Sequence, residues 1–270
     1  MRLGPGLRRF LGLAFRTVGI LAGLAVGTLV AAGEYETFKV SKTVLFWVTV
    51  SFAAASAAAN GLSVWGNFRG WARTRAEVRV QLALTQCLVA VAKEIGVDPD
   101  HLGVSAYIPA VRWVKSDASV FLGLPAEVLV RVVRFRLQDV PQPSRVARTR
   151  SKGAVGECWA TSRTIHRPWR QQAVQHSGAS MTRQQFDQLS AHLRDGFEYA
   201  EYLRIAHKYS EVLAVPVLSE AGDLVGVLSL DLAMGANVQR DVLSTSAVDG
   251  IASVTATIVR DDLKHLFPIE

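Results

Sequence analysis

The chain has 270 residues, of which 50% are hydrophobic and only 20% charged, with a mean hydropathy of +0.22. That much apolar side chain excludes intrinsic disorder as the dominant state, and two cysteines, Cys87 and Cys158, exclude a disulfide-rich scaffold or a Cys-rich zinc module. The net charge of +7 is uneven, with six Lys/Arg against two Asp/Glu in residues 1–66, and points to a membrane surface rather than a nucleic-acid polymer as partner.

Two nearly charge-free runs come first. Thr17–Gly33 follows an apolar stretch from Phe10 interrupted only by Arg16, and Thr43–Phe68 is uncharged throughout. Each is about the ~20 residues that cross a hydrocarbon core, so spans are expected over about 10–33 and 43–66. Arg2, Arg8, Arg9 and Arg16 precede the first, and Arg69, Arg73, Arg75 and Arg79 follow the second. This bias places both ends in the cytoplasm and the loop Glu34–Lys42 outside, in a cell inner (plasma) membrane. A cleaved signal peptide ending near Ala31-Ala32-Gly33 is the rival reading, against which the apolar segment is long. Gly19, Gly23, Gly27 and Ala31, and likewise Ala53, Ala57 and Gly61, form small-residue stripes that let helices approach closely. Asn60 within the second run is read either as interhelical glue or as a pore-lining group.

A helix is expected over Trp71–Ile95. Val78, Leu82, Thr85, Val89, Ala92 and Ile95 alternate in steps of four and three, a seam suited to a parallel coiled coil between two protomers. An amphipathic helix packed on its own domain has the same pattern. Gly96 and Pro99 end it. Strands are expected at Val104–Ala110 and at Val128–Gln138, where Val133, Phe135 and Leu137 share one face and Arg134 and Arg136 the other. After a polar loop, Asp139–Lys152, the glycines of Gly153–Ser162 suit a tight turn opening a short helix. Thr182–Tyr209 reads as one helical stretch with Phe186, Leu189, Leu193, Phe197 and Ala200 on its apolar stripe. Glu211–Leu218 and Leu224–Leu232 read as a hairpin about Ser219–Asp223. Asp241–Leu266 reads as a last helix with Leu243, Ala247, Ile251, Val254 and Ile258 on one face. The order is that of an α+β domain, an antiparallel sheet with helices packed on it.

Two segments carry a family resemblance. Lys152-Gly153-Ala154-Val155-Gly156-Glu157-Cys158-Trp159-Ala160-Thr161-Ser162 resembles the K-G-x-V-G-x-C-W-x-T stretch of GAF domains, and Val212–Val217 with Gly222–Asp231 resembles their closing hairpin. The resemblance covers roughly residues 78–266. It implies a central antiparallel sheet, a helix pair from the two ends used for dimerisation, and a pocket on the opposite side for a small regulatory molecule such as a cyclic nucleotide, a tetrapyrrole or a metabolite. Gln185-Phe186-Asp187-Gln188 does not match the pattern of the cyclic-nucleotide binders. Cys158 alone does not supply the several cysteines of the members that reduce methionine sulfoxide. The expected organisation is thus a transmembrane hairpin at 1–68, a connecting and dimerisation helix at 69–96, and a GAF-like sensor domain at 97–270.

No GxSxG, HExxH, P-loop or paired CxxC motif occurs, and no two of the six histidines stand four residues apart, so no enzyme activity, metal site or cofactor is expected. The feature that suggests a ligand is basic. Arg145, Arg148, Arg150 and Lys152 stand with no acid between Val140 and Gly156. Arg134 and Arg136 precede them and Arg163, Arg167 and Arg170 follow; arginine forks beside a glycine turn suit an anion, and Trp159, Trp169 or Tyr209 can stack on a base. Arg148, Arg150, Lys152 and Trp159 are therefore the candidate residues for an anionic, nucleotide-like ligand. A solvated basic loop facing anionic lipid is the plain alternative. With four residues after Leu266, the expected output is a partner protein or the membrane helices themselves. The expected function is a membrane-anchored, homo-oligomeric small-molecule sensor. Its alternative is a two-span effector, gated by a nucleotide second messenger, that permeabilises the membrane.

Overall fold

The computed structural model describes residues 42–114, 124–144, 146–170, 181–236, 238 and 241–267. The chain divides into two units, one up to Ala72 and one from Arg73 to Ile269. Helix α1 runs Lys42–Ile95. The first expected span, 10–33, lies outside the described residues, and the second falls within α1. Among the described residues no helix is long and apolar enough to cross a membrane.

Past a 3-10 turn at Pro99–His101, the second unit holds strands β1 (Leu102–Val114) and β2 (Leu124–Phe135) and helix α2 (Gly153–Thr161). Then come β3 (Ile165–Pro168), short helices α3 (Arg183–Gln188), α4 (Ala191–Arg194) and α5 (Tyr199–Ile205), hairpin strands β4 (Tyr209–Leu218) and β5 (Leu224–Ala233), and α6 (Ser246–Leu266). The strands form one antiparallel sheet in the order β2-β1-β5-β4-β3. With helices on it, this is the expected α+β architecture.

Strand alternation divides the sheet by chemistry. On one face Val104, Ala106 and Ile108, with Leu228, Leu230 and Leu232 and with Leu213, Val215 and Val217, form the main core. Val80, Leu84, Leu88 and Val91 of α1 and Val248, Ala252, Val259 and Leu263 of α6 cover them. Between these positions Ser105 and Tyr107, and Ser229 and Asp231, turn to the other face. There a smaller core joins Leu129, Val227 and Ala214 to Ala154, Val155, Cys158 and Trp159 of α2.

The expected coiled-coil seam meets the buried face of α1 only at its end, where Ala92 is buried and Ile95 packs against the core. Ala76, Val80, Ala83, Leu84, Cys87, Leu88 and Val91 are buried, whereas Val78, Leu82 and Val89 are 61%, 58% and 54% exposed. The helix carries two apolar faces, and its own domain takes only one. The same holds for α6. Of the residues expected on one face, Leu243 is buried and Ile251 packs against the core, but Val254 and Ile258 are exposed, and burial within the helix belongs to Val248, Ala252, Thr255, Ala256, Val259 and Leu263.

The expected continuous helix from Thr182 is broken twice. Thr182 caps α3 in a capping box with Gln185, Ser190 caps α4, and Glu198 with Glu201 restarts the chain as α5. Between α4 and α5 Asp195 and Gly196 take positive φ values of 48° and 73°. A Cβ at Gly196 would also stand 2.5 Å from the Ser151 carbonyl oxygen. The break is therefore set by that close approach.

Candidate functional site

Over the polar face of the sheet, α2 together with Trp169, Asp195, Phe197 and Ile205 bounds a half-open cavity. About 490 Å³ of empty space, counted out to its mouth, lies between Ser105, Tyr107, Arg131, Arg134, Arg148, Trp169, Asp195, Phe197, Tyr209, Ser229 and Asp231. Phe197 stands edge-on to Trp169 with ring centroids 5.8 Å apart, and Phe186 and Tyr202 continue that aromatic cluster behind.

Three arginines reach this cavity by different routes. Arg134 follows from strand alternation. Arg131 does not, because Arg131 and Arg134 differ by an odd number of residues. A bulge resolves this: Ala106 pairs with Val133 and Tyr107 with Arg131, leaving Val132 extra on β2. One inserted residue brings both arginines to the polar face. Arg148 arrives because the loop after β2 folds back on that strand, where the Leu129 amide donates to the Arg148 carbonyl at 2.8 Å.

The arginines are lightly engaged. Arg131 Nε donates to the Tyr107 hydroxyl at 3.1 Å, Arg134 Nη2 to the Pro141 carbonyl at 2.5 Å, and the Arg148 guanidinium lies 5.5 Å from the Phe197 ring centre. None of the three forms an ion pair with a carboxylate among the described residues. The lining acids are already held elsewhere. Asp231 pairs with Arg136, whose side chain is 2% exposed, and Asp195 Oδ1 lies 3.3 Å from Arg167 Nε. Burial pushes the Tyr209 hydroxyl up to about 12, with Asp231 acting in the same direction, so it stays protonated. Burial also raises the Asp195 carboxyl, against the pull of Arg167.

Of the four residues singled out in the sequence, Arg148 alone lines this cavity. Arg150 lies 4.5 Å over the Trp159 ring and 3.3 Å from Glu127, with more than half its side chain in solvent. Lys152 is held by Glu201 at 2.8 Å. Trp159 is 3% exposed and belongs to the small core beneath α2. Arg134, of the wider basic run, and Trp169 and Tyr209, of the stacking candidates, also line this cavity, whereas Arg131, Asp195 and Tyr107 were not singled out. Arg131 needed the bulge and Asp195 the helix break before either could be placed. Cys158 is fully buried and its thiol is pushed up to about 12 by burial, which leaves it protonated and unreactive at neutral pH. Among the described residues no cluster of His, Cys, Asp and Glu is arranged to hold a metal ion.

No protein-family model matches the chain, and no curated protein matches it. Solved structures do. The type II free methionine-R-sulfoxide reductase from Thermoplasma acidophilum is 10% identical over 73% of this chain and 97% of its own, with a TM-score of 0.42. The GAF domain of an Acinetobacter phosphoenolpyruvate-protein phosphotransferase is 15% identical over 74% and 94%, with a TM-score of 0.35. The free methionine-R-sulfoxide reductase from Neisseria meningitidis, solved with its substrate, is 14% identical over 73% and 87%, with a TM-score of 0.36. The antiparallel five-strand sheet flanked by helices is itself consistent with the GAF-like fold that the sequence resemblance implied. One expectation needs correction. The chain was expected not to be an enzyme, and against that expectation two of these similar structures are methionine-R-sulfoxide reductases. Short linear motifs are a poor guide to the absence of catalysis, because active sites assemble from residues far apart in sequence.

Proposed function

We propose that the protein is a small-molecule sensor of GAF type, held at the inner face of a membrane by its two apolar runs, with its ligand in the cavity on the polar face of the sheet. The cavity carries this reading. Around open space that face sets hydroxyls and arginines among aromatic rings and the apolar side chains of Ala154, Val155, Ile205 and Val212, the mix of apolar lining and placed polar groups found in small-molecule sites. Ligand binding then acts by favouring one of two states of the domain. Native mass spectrometry of the full chain released from detergent tests it: a bound small molecule is expected, and an empty protein at every preparation would refute it.

Two observations support the remaining parts. On α1, Trp47 is 60% and Trp71 65% exposed. They stand 24 residues apart, about 36 Å along a helix, close to the spacing of the two interfacial layers where tryptophan collects. Alkaline carbonate extraction should leave the full chain in the membrane pellet; release into the supernatant would remove the anchor from the proposal. The second observation is the pair of apolar stripes on α1 and α6, helices joined by Arg79 and Asp262 at 2.5 Å. The exposed Val78, Leu82 and Val89 of α1, with the exposed Val254 and Ile258 of α6, suit a homodimer packed through residues 71–95. A signal would pass from the cavity through the sheet to these helices, and on to a partner or to the lipid-embedded part.

A further inference from the structure

Asp195 is the unusual member of the cavity. Its side chain is 6% exposed, and only Oδ1 is engaged, by Arg167. Oδ2 is buried with no partner among the described residues. A carboxylate oxygen taken out of water without a donor is costly, so such a group is ordinarily satisfied. Glu211 shows the ordinary case in this same fold: fully buried, it accepts from the Val242 and Leu243 amides at 3.1 and 2.8 Å and lies 3.2 Å from His166 Nε2. Asp195 lines the cavity without a second donor of that kind.

The opposite imbalance holds for the arginines. Arg131, Arg134 and Arg148 present three guanidinium groups, while the two lining carboxylates are held by Arg136 and Arg167. Gly153 makes part of this arrangement possible. At φ +67° it lacks a Cβ that would stand 2.7 Å from the Phe197 ring and 3.1 Å from Arg148 Nη1. The glycine turn of the sequence motif thus admits Arg148 and Phe197 to the cavity.

We propose that the cavity takes a small organic anion that also carries a hydrogen-bond donor, its anionic group held by Arg131, Arg134 and Arg148 and its donor by Asp195. Arginine suits a carboxylate or phosphate because its fork matches two oxygens at once. Trp169, Phe197 and Tyr209 line the same cavity and supply its aromatic surface. The assignment rests on the sensor reading above and narrows its ligand to one chemical class.

The test is calorimetric titration of the full chain in detergent at constant ionic strength, with acetate (an anion alone), methylammonium (a donor alone) and glycine (both). Glycine should bind at least tenfold more tightly than acetate, and methylammonium should show no measurable binding. Asp195→Asn should bring glycine to within about threefold of acetate. Arg148→Gln should weaken both anions at least tenfold, and Arg150→Gln, outside the cavity, should change neither. Glycine binding no tighter than acetate in the unaltered protein, a comparison that needs no variant to fold, overturns the proposal. So does an Arg148→Gln protein that binds both as before. A co-purified ligand lacking an anionic group or a donor also overturns this assignment and leaves the sensor reading standing, whereas an empty cavity counts against the sensor reading itself.

Discussion

The pair Arg136–Asp231 offers the sharpest perturbation of the fold beneath the cavity. Arg136 follows β2, reaches across β1, and meets Asp231 on β5. It crosses at Gly103, which stands directly opposite Asp231 in the β1–β5 register. A Cβ at Gly103 would lie 2.6 Å from Arg136 Nη2 and 2.8 Å from Asp231 Oδ1. Removing one partner of a buried pair costs about 3–5 kcal/mol, because the other charge is left in low dielectric. Here Arg136 Nη1 keeps the Val140 carbonyl at 3.2 Å and the His101 carbonyl at 3.4 Å, and Asp231 retains 14% exposure through which water can enter. The cost of Asp231→Ala should therefore fall at the lower end, about 3 kcal/mol, or roughly 6–12 °C in Tm for a domain of this size. The double variant Arg136→Met/Asp231→Leu removes both charges and should return to within about 1.5 kcal/mol of the parent. Thermal unfolding of the full chain followed by circular dichroism measures all three. An Asp231→Ala shift below about 2 °C, or a double variant as unstable as the single one, would refute the argument that charge burial governs this crossing.

Three further outcomes follow from the same geometry. Gly156→Ala should lower stability by about 1–3 kcal/mol, because its Cβ would press into the Thr149 carbonyl oxygen, whereas Gly250→Ala, with open space around it, should raise stability by about 0.5–1 kcal/mol; thermal unfolding showing the same sign for both would contradict this. Cys158 and Tyr209, both raised to about 12 by burial, stay protonated in the folded state while the unfolded chain releases protons above its ordinary thiol and phenol values. Stability from these groups is thus complete below about pH 8.5 and falls as pH rises from there towards 12, which urea titrations across that range would show. Native protein at pH 8 should also leave both cysteines unlabelled by iodoacetamide until denaturant is added. Finally, Leu82→Glu, on the exposed stripe, should reduce the mass measured by light scattering while preserving the helical spectrum. Leu84→Glu, one turn-face away and fully buried, should unfold the domain instead.

Much of the sheet was legible because a strand's chemistry repeats every second residue. Leu228, Leu230 and Leu232 against Ser229 and Asp231 announce one core face and one polar face, and the turn from Ser219 to Asp223 joins the two hairpin strands as expected. Helices were legible as helices but not as orientations. Both α1 and α6 carry apolar residues on two sides, so periodicity alone chose Val78 and Val254 where the fold chose Val80 and Val248. The Trp159 indole looked like a stacking surface only while its burial under α2 was unknown.

The amino-acid sequence by itself determined the fold class, the basic character of the segment around Arg148, and the glycines that its turn requires, since these depend on local periodicity, composition and backbone freedom. Tertiary structure alone decided which charges meet. The extra residue at Val132 turns Arg131 toward Arg134, and the positive-φ break at Asp195 and Gly196 carries a carboxylate into the same cavity. Neither has a local signature, because a bulge is defined by its partner strand and a helix break by the backbone it must pass.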